Sequence, residues 1–377
     1  MLIRNKTNRI AYIDGMRGVA ILVVVLYHAY SRWSTVVQFG DQFANWPIIR
    51  QGAIGVPLFF MISGFVILST LRSCKTIGEF LLRRFLRLFP AMLAGSALIY
   101  LTAPLLPERP FGPVDALSLV PGLTFMEPAW WTWLSQNPVR EMEGAFWSLY
   151  VEVRFYWIFG ILYFLLGEFR ALCVIALLAF LWLVPVESLR AIMLGMGSNF
   201  FSWFFLGAFT FRYCTFKRTE RLNSFIIAIV VFAIFCAIRN YRKQIDSEII
   251  SFLLILVFVA APRVPSIQRF FENRTLQFLG FVSYPLYLIH ENLSVALIVK
   301  LGAACPWIPG LLLPVLPIAS LTLMAWAIAR YVEPTVKSML MPVYRLGLAV
   351  LGGSEPKRDS STLEDLRVVS PAAAGER

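Results

Sequence analysis

Long apolar stretches separated by short polar gaps fill most of this chain. A helix needs about 20 apolar residues to cross the roughly 30 Å hydrocarbon layer of a bilayer. Candidate stretches, several of them shorter than this, lie at residues 18–38, 53–71, 89–106, 146–166, 170–186, 199–213, 223–239, 247–262, 278–299 and 310–332. The pattern therefore predicts an all-α fold, a polytopic helical bundle in a membrane with about ten transmembrane helices.

The amino-acid composition agrees with a membrane protein. Hydrophobic residues make up 58% of the chain and charged residues 15%, whereas soluble domains contain roughly 45–50% apolar residues. From residue 351 the chain is polar and rich in Gly, Pro and Ser, which is typical of disorder. We therefore predict one transmembrane domain at residues 1–350 and a disordered cytoplasmic tail at residues 351–377.

The formal net charge of +12 is spread over the polar gaps. Cations concentrate in alternate gaps, which indicates membrane topology and argues against a nucleic-acid partner. The basic gaps lie around residues 4–17, 72–87, 212–221 and 263–274. This bias places both termini in the cytoplasm, and basic gaps also suit contact with anionic membrane lipids. The five cysteines lack the spacing of a zinc site or a disulfide framework, so no metal site is predicted.

The first span begins with a charge cluster and carries one of only two histidines in the chain. Its segment DGMRGVAILVVVLYH runs from Asp14 to His28. Eleven helical steps from Arg17 to His28 make about three turns and rise about 16 Å, so both side chains project from one side. The pattern predicts a guanidinium at the cytoplasmic boundary and an imidazole near mid-membrane, with Asp14 close to the same face.

Two more ionisable residues fall at a similar depth. Glu152 lies about 9 Å from the outer boundary of its predicted span, and His290 about 18 Å from the inner boundary of its own. Ionisable groups at such depth are costly against lipid, so they are expected to face a cavity or one another. Two interpretations stay open: a functional site, or polar core groups that hold helices together.

The segment LLRRFLRLFP brings three arginines together before the third span. Arg84 and Arg87 are three residues apart and therefore share a helix face, with Arg83 beside them. Such cations often anchor a helix to anionic lipid. They can equally hold a ligand rich in phosphate, because the planar guanidinium pairs with phosphate oxygens in bidentate fashion.

These residue types allow one kind of chemistry. A neutral imidazole is the usual general base near neutral pH and can take a proton from an alcohol. The arginines suggest a phosphorylated carrier on the cytoplasmic side as the electrophile. Coenzyme A fits, since it has phosphates for arginines and a long arm that reaches from the surface towards the middle of the membrane; another phosphorylated donor would also satisfy the spacing.

Several motifs of this chain are similar to those of one known protein family. The segments YIDGMRGVAILVVVLYH, GVPLFFMISGFVI, RRFLRLFPAM, FWSLYVEVRFYWI and LGFVSYPLYLIHENL, followed by YVEPTVK, occur in this order between Ala11 and Lys337. Together they resemble the acyltransferase-3 family of bacterial integral-membrane acyltransferases. The similarity covers nearly all of the span-bearing chain.

The resemblance implies an inner-membrane O-acyltransferase. Such enzymes move an acyl group, commonly acetyl, from cytoplasmic acyl-CoA to a hydroxyl of a cell-envelope or exported carbohydrate. The family pattern assigns catalysis to His28, as base or brief acyl carrier, and CoA binding to Arg17, Arg84 and Arg87. It places its acidic residue at Glu152.

From these assignments we predict three groups of site residues. The catalytic residues are His28, Glu152 and Asp14; the donor is held by Arg17, Arg84 and Arg87; the acceptor is bound by Glu152 and His290. The acceptor stays open between exopolysaccharide, lipopolysaccharide sugar, an oligosaccharide and a small exported metabolite, and a homo-oligomer is compatible with the sequence.

Some positions depart from the family pattern, and other classes of protein remain open. Relatives often carry a second acidic residue followed by glutamine where this chain has Val153 and Arg154, and a polar residue where it has Pro57. A secondary transporter would use His28, Glu152 and His290 as an intramembrane proton relay. A scaffold without catalytic activity would lack CoA binding.

Overall fold

Helices form nearly all the regular structure in residues 10–215, 224–241 and 248–351, the parts of the chain that the computed structural model describes. No β-strand occurs within these ranges, which confirms the predicted all-helical fold. The predicted tail, from residue 352 onwards, lies outside the described residues. The α-helices are α1 Ala11–Tyr27, α2 Pro47–Arg50, α3 Gly55–Arg72, α4 Ile77–Thr102, α5 Leu119–Thr124, α6 Pro128–Ser135, α7 Trp147–Leu166, α8 Glu168–Leu181, α9 Glu187–Met196, α10 Phe201–Thr215, α11 Ser224–Tyr241, α12 Glu248–Ala260, α13 Pro265–Phe271, α14 Arg274–Ile289, α15 Asn292–Ala304, α16 Val315–Ala327 and α17 Glu333–Val350.

Five helical segments of the described chain are long and apolar enough to cross a membrane. Three pairs of bent helices raise the total to eight if each pair is one span, so the chain is a multi-pass membrane protein but the predicted ten spans are not confirmed. The predicted span 278–299 is in fact two helices, α14 and α15, which meet at 79°. The number of apolar residues in a stretch gives no information on where the helix axis changes direction. The five long segments are Ala11–Arg32, Gly52–Arg72, Ile77–Leu105, Gly144–Leu166 and Val315–Val350.

Helices α1 and α14 approach each other closely through glycines. A Cβ atom on Gly280 would lie 1.9 Å from the carbonyl oxygen of Asp14, and one on Gly18 would lie 2.1 Å from that of Leu276. Small residues at a helix contact let two backbones come together, which is a common way to pack helices in membranes. Larger side chains at these two positions would force α1 and α14 apart.

The contact between α3 and α10 is built in the same way. A Cβ on Gly64 would lie 2.0 Å from the carbonyl oxygen of Phe204, and one on Gly207 would lie 1.8 Å from that of Met61. Beside this contact, the ring of Phe204 stacks on that of Phe60 with centroids 4.6 Å apart. Because α1 also packs on α3, the four helices form one tightly packed centre.

The glycine contact of α1 and α14 sets where the two histidines lie. Gly18 and Gly280 are neighbours, and each precedes a histidine by ten residues, His28 and His290. Ten helical residues rise about 15 Å. The histidines therefore meet at one depth, as the sequence predicts, and their ring centroids are 4.7 Å apart. At His28 the helix continues as a π-helical turn to Arg32.

The last helix, α17, lies outside the predicted spans and packs on α4. Tyr344 and Leu348 of α17 are buried with Leu86 of α4 in a small apolar cluster of their own. The first turn of α4 is capped by Thr76, whose hydroxyl accepts a hydrogen bond from the backbone N–H of Glu79. The arginine-bearing half of α4 is thus supported from two sides.

A half-buried carboxylate, Glu168, ties three helices together. It accepts two hydrogen bonds from Arg72, at 2.7 and 2.8 Å, and another from Arg212. Burial acts to raise the pKa of Glu168, but the hydrogen bonds from both arginines outweigh it and the pKa lies below the ordinary value of 4.5. Glu168 therefore links α8 to α3 and α10 as a charged carboxylate.

The Glu168→Gln substitution is expected to lower the free energy of unfolding at pH 7 by about 1–3 kcal/mol, since hydrogen bonds to a charged group are lost. A lowered pKa gives stability that is present above pH 4.5 and is lost as the pH falls through the folded-state value. The gap in Tm between wild type and variant should therefore close at acid pH. Glu187→Gln, an exposed position at the start of α9, is the control, and a gap that does not change with pH would contradict the prediction.

Candidate active site

An open cavity lies among α1, α3, α4, α7 and α14. Its empty volume, including the mouth, is about 740 Å³. All three arginines predicted to hold the donor line it, together with Glu152. We call it the arginine cavity. Its lining consists of Arg17, Val56, Phe59, Phe60, Ile62, Ser63, Val66, Arg84, Arg87, Leu88, Ser148, Leu149, Glu152, Tyr156, Ser283, Tyr284 and Tyr287.

The cavity arginines are held by neighbours that leave the lining positively charged. Nη1 of Arg17 lies 2.9 Å from a carboxylate oxygen of Asp14. Arg84 donates a hydrogen bond to the hydroxyl of Thr70, and its guanidinium carbon lies 5.7 Å from the ring centroid of Tyr156. The guanidinium carbon of Arg87 lies 5.5 Å from the ring centroid of Tyr284. Three cations thus face a space lined by only one carboxylate.

Arg83, the third arginine of the motif, points elsewhere. It pairs with the fully buried Glu79 and donates a second hydrogen bond, at 3.0 Å, to the hydroxyl of Ser73. Arg84 and Arg87, which share a helix face, are the two that reach the cavity. The prediction from their spacing that Arg84 and Arg87 share a helix face is confirmed.

Glu152 lies in the wall of the arginine cavity. One oxygen of its carboxylate accepts hydrogen bonds from the hydroxyl groups of Ser63 and of Tyr156, the latter at 2.6 Å. The described contacts include no hydrogen bond between Glu152 and either histidine. The geometry supports a role for Glu152 at the cavity surface, not as the group that orients His28.

His28 and His290 form a pair beside the arginine cavity but outside its lining. Nε2 of His290 lies 3.2 Å from Nδ1 of His28, and Nδ1 of His28 also lies 2.9 Å from the carbonyl oxygen of Val24. His290 is fully buried, whereas 14% of the His28 side chain is exposed. The two imidazoles, which were predicted to lie at a shared depth and to face a cavity or one another, are therefore in contact.

Tyr287 links the lining of the cavity to the histidine pair. Its hydroxyl lies 2.8 Å from that of Ser148, and both residues line the cavity. Its ring centroid lies 5.3 Å from that of His290. The described contacts from the cavity to His28 therefore pass through Tyr287 and His290.

Glu291, to which no role was assigned from the sequence, contacts the histidine pair directly. Its Oε1 lies 3.6 Å from Nε2 of His28 and accepts a hydrogen bond, at 3.2 Å, from the indole N–H of Trp33. Only 3% of Glu291 is exposed. A signal was present, since this carboxylate lies inside the predicted span 278–299, where the cost of charge in a membrane points to function.

Glu143, a second residue to which no role was assigned from the sequence, fixes the bend between α14 and α15. This carboxylate is fully buried and accepts hydrogen bonds from the backbone N–H of Asn292, at 2.7 Å, and from its side-chain amide, at 3.1 Å. Burial, with a smaller contribution from Glu291, raises the pKa of Glu143 well above its usual range. The sequence suggested only an acidic outer gap and gave no sign that this residue is buried.

Asp14 does not reach the histidine pair. Its carboxylate is bound to Arg17, and fourteen residues, or about 21 Å of helix, separate it from His28. The geometry gives the predicted catalytic role of Asp14 no support. The carboxylate instead holds a cavity arginine in place.

Comparisons with known proteins identify the family of the chain. Residues 10–330 match the acyltransferase-3 family, described as an acyltransferase domain. O-acetyltransferase OatA of Staphylococcus aureus (strain NCTC 8325 / PS 47) is 26% identical over 327 residues, which cover 75% of this chain and 50% of the relative. A second S. aureus protein (strain COL), which is named as an O-acetyltransferase, is 27% identical over 327 residues. These residues cover 76% of this chain and 50% of that protein.

These matches define the class of the protein. It is a multi-pass membrane protein, and it belongs to the acyltransferase-3 family. The chain spans about half the length of the curated relatives it matches. No solved structure matches it.

Proposed function

We propose that this protein transfers an acyl group, acetyl in the first instance, from acyl-CoA on the cytoplasmic side of a bacterial inner membrane to a hydroxyl of a cell-envelope or exported carbohydrate. The observation that carries the proposal is the arginine cavity, where Arg17, Arg84 and Arg87 converge beside the histidine pair. The names of the O-acetyltransferase relatives support acetyl as the acyl group.

The donor half of the proposal rests on charge and distance. Acyl-CoA carries a pyrophosphate and a ribose phosphate, and guanidinium groups bind phosphate oxygens in bidentate fashion. Arg17 lies eleven residues, or about 16 Å of helix, before His28. A CoA whose phosphates lie on the arginines therefore directs its pantetheine arm along the cavity towards Tyr287 and the histidines. The basic amino-terminal gap supports a cytoplasmic location for this end.

The reaction at the far end is an acyl transfer with His28 as general base. The imidazole takes the proton of the acceptor hydroxyl as its oxygen attacks the thioester carbonyl carbon. A carbon–oxygen bond forms, the carbon–sulfur bond breaks, and the proton held by His28 passes to the departing thiolate. Glu152, in the wall beside the arginines, contributes to binding and not to this proton transfer.

A transporter with a three-residue proton relay fits the geometry less well. Such a relay needs hydrogen-bonded or water-linked groups in series. His28 and His290 are adjacent, but Glu152 has Ser63 and Tyr156 as its partners. Consumption of labelled acetyl-CoA by purified protein in liposomes separates the two functions, because a transporter would leave the thioester intact.

Arg84→Ala and Arg87→Ala are each expected to weaken CoA binding about 10- to 100-fold. A charge-assisted hydrogen bond contributes about 1.5–3 kcal/mol, and 1.4 kcal/mol corresponds to a factor of ten in Kd. Isothermal titration of the detergent-solubilised protein with CoA measures the effect. The control is Arg269→Ala, which removes the same charge from an exposed position of α13; equal affinity in all three variants would count against the donor site.

A further inference from the structure

We infer that Glu291 is a positioning residue for His28, whose carboxylate fixes Nε2 of His28 as the reacting nitrogen and stabilises the imidazolium that forms there. The inference rests on the proposed function, in which His28 is the base. It gives the role of orienting His28 to Glu291 and not to Glu152. The contacts of four nitrogen atoms carry the argument.

The first step concerns the tautomer of His290. Its Nδ1 lies 2.8 Å from the carbonyl oxygen of Tyr287. A carbonyl oxygen only accepts hydrogen bonds, so Nδ1 of His290 carries the hydrogen. In the neutral ring the other nitrogen, Nε2, then has a lone pair and acts as an acceptor.

The second step fixes the tautomer of His28. Its Nδ1 faces two acceptors, the carbonyl oxygen of Val24 at 2.9 Å and Nε2 of His290 at 3.2 Å. Nδ1 of His28 therefore carries the hydrogen and shares it between them. The basic nitrogen of His28 is Nε2, the atom that takes the proton of an acceptor hydroxyl.

The third step is the position of Glu291 relative to this nitrogen. Its Oε1 lies 3.6 Å from Nε2 of His28, which is too far for a direct hydrogen bond but close for an ion pair. An acceptor hydroxyl that donates a hydrogen bond to Nε2 of His28 therefore lies on the same side of the ring as the negative charge of Glu291. When Nε2 gains the proton, the imidazolium and the carboxylate attract each other in a poorly solvated site, which favours the charged ring.

The carboxylate is held rigidly from three directions. Trp33 donates its indole N–H to Oε1. The backbone N–H of Ala145 donates a hydrogen bond to the same carboxylate, and Gly144 leaves space beside it, since a Cβ there would lie 2.6 Å from Oε2. Glu143 caps the first turn of α15 directly after Glu291 and keeps the bend in shape. Rigid support of this kind is what a positioning residue requires.

Other charged groups surround the pair and define the controls. Arg32, His290, Glu141 and Glu143 act electrostatically on His28 or Glu291. Glu141 is half-buried in the same outer segment. Its replacement by glutamine therefore removes a nearby negative charge without touching the imidazole, which makes it the matched control for Glu291→Gln.

The test compares Glu291→Gln, Glu291→Asp, Glu141→Gln and His28→Ala for acetyl transfer by purified protein in liposomes. Glutamine keeps an oxygen for the Trp33 indole but removes the charge. We expect Glu291→Gln to lower kcat roughly 100-fold, within the range of about 10²–10⁴ for general acid–base catalysis, while CoA affinity stays within about twofold of wild type. Glu291→Asp should recover part of kcat, and Glu141→Gln should resemble wild type.

A spectroscopic readout separates positioning from mere structural support. The chain has only two histidines, so protein labelled with ¹⁵N-histidine gives two imidazoles, and His290→Gln identifies the signals of His28. We expect His28 in the Nδ1–H form in wild type and a changed Nε2 signal in Glu291→Gln. Unchanged kcat or an unchanged His28 signal in Glu291→Gln, with His28→Ala inactive, would overturn the inference alone. Full turnover by His28→Ala would overturn the proposed function.

Discussion

The His28→Ala variant is expected to lose acyl transfer by roughly 10²–10⁴-fold, the usual contribution of a positioned general base. CoA binding should remain near wild type, because His28 lies outside the lining of the arginine cavity. The effect should therefore fall on kcat and leave the affinity for the donor intact. Labelled acetyl-CoA, with a soluble sugar acceptor and protein in liposomes, measures it.

Two further variants sharpen this test. His290→Gln, which retains polar atoms beside His28, should cost less than His28→Ala, because His290 shares the Nδ1 hydrogen of His28 but does not take the proton. Mass spectrometry of envelope glycans from cells with wild type or His28→Ala would identify the acceptor. Undiminished turnover by His28→Ala would remove the base from the mechanism.

The Gly280→Ala substitution is expected to destabilise the fold. Its new Cβ would lie 1.9 Å from the backbone oxygen of Asp14, which cannot move as the end of a flexible side chain can. Overpacking of this kind typically costs about 1–3 kcal/mol and sometimes more. We expect a lower Tm in detergent and a loss of transfer activity, since separation of α1 and α14 also separates the two histidines.

The control for Gly280→Ala is a glycine with free space around it. A Cβ on Gly195 of α9 meets nothing within 4 Å. Replacing a helical glycine by alanine in open space should stabilise the helix by about 0.5–1 kcal/mol. Equal Tm values for Gly280→Ala and wild type, measured by thermal unfolding with size-exclusion chromatography, would show that the helix contact tolerates a wider separation.

Helical periodicity explains why part of the arginine cavity could be predicted from the sequence. Arg84 and Arg87 share a face because they are three residues apart, and both line the cavity. Arg17 and His28 are joined by an uninterrupted helix, so counting residues gave their separation in depth. Local rules of this kind act within one helix and can be read without a structure.

Contacts between helices could not be read in this way. The bend after Ile289 depends on Glu143, which is distant in the chain and accepts hydrogen bonds from Asn292. Without that bend, Glu291 would follow His290 along one helix, and the two side chains would point in different directions. For Asp14, the face that it shares with His28 was the basis of the predicted catalytic role, but the two residues lie at opposite ends of α1 and the geometry gives that role no support.

Access to the histidine pair in the proposed transfer depends on the side chain of Tyr287. Its hydroxyl lies 2.8 Å from that of Ser148, both residues line the arginine cavity, and its ring centroid is 5.3 Å from that of His290. A thioester that approaches the histidines from the arginines therefore meets this phenol ring first, and its entry depends on the rotamer of one side chain.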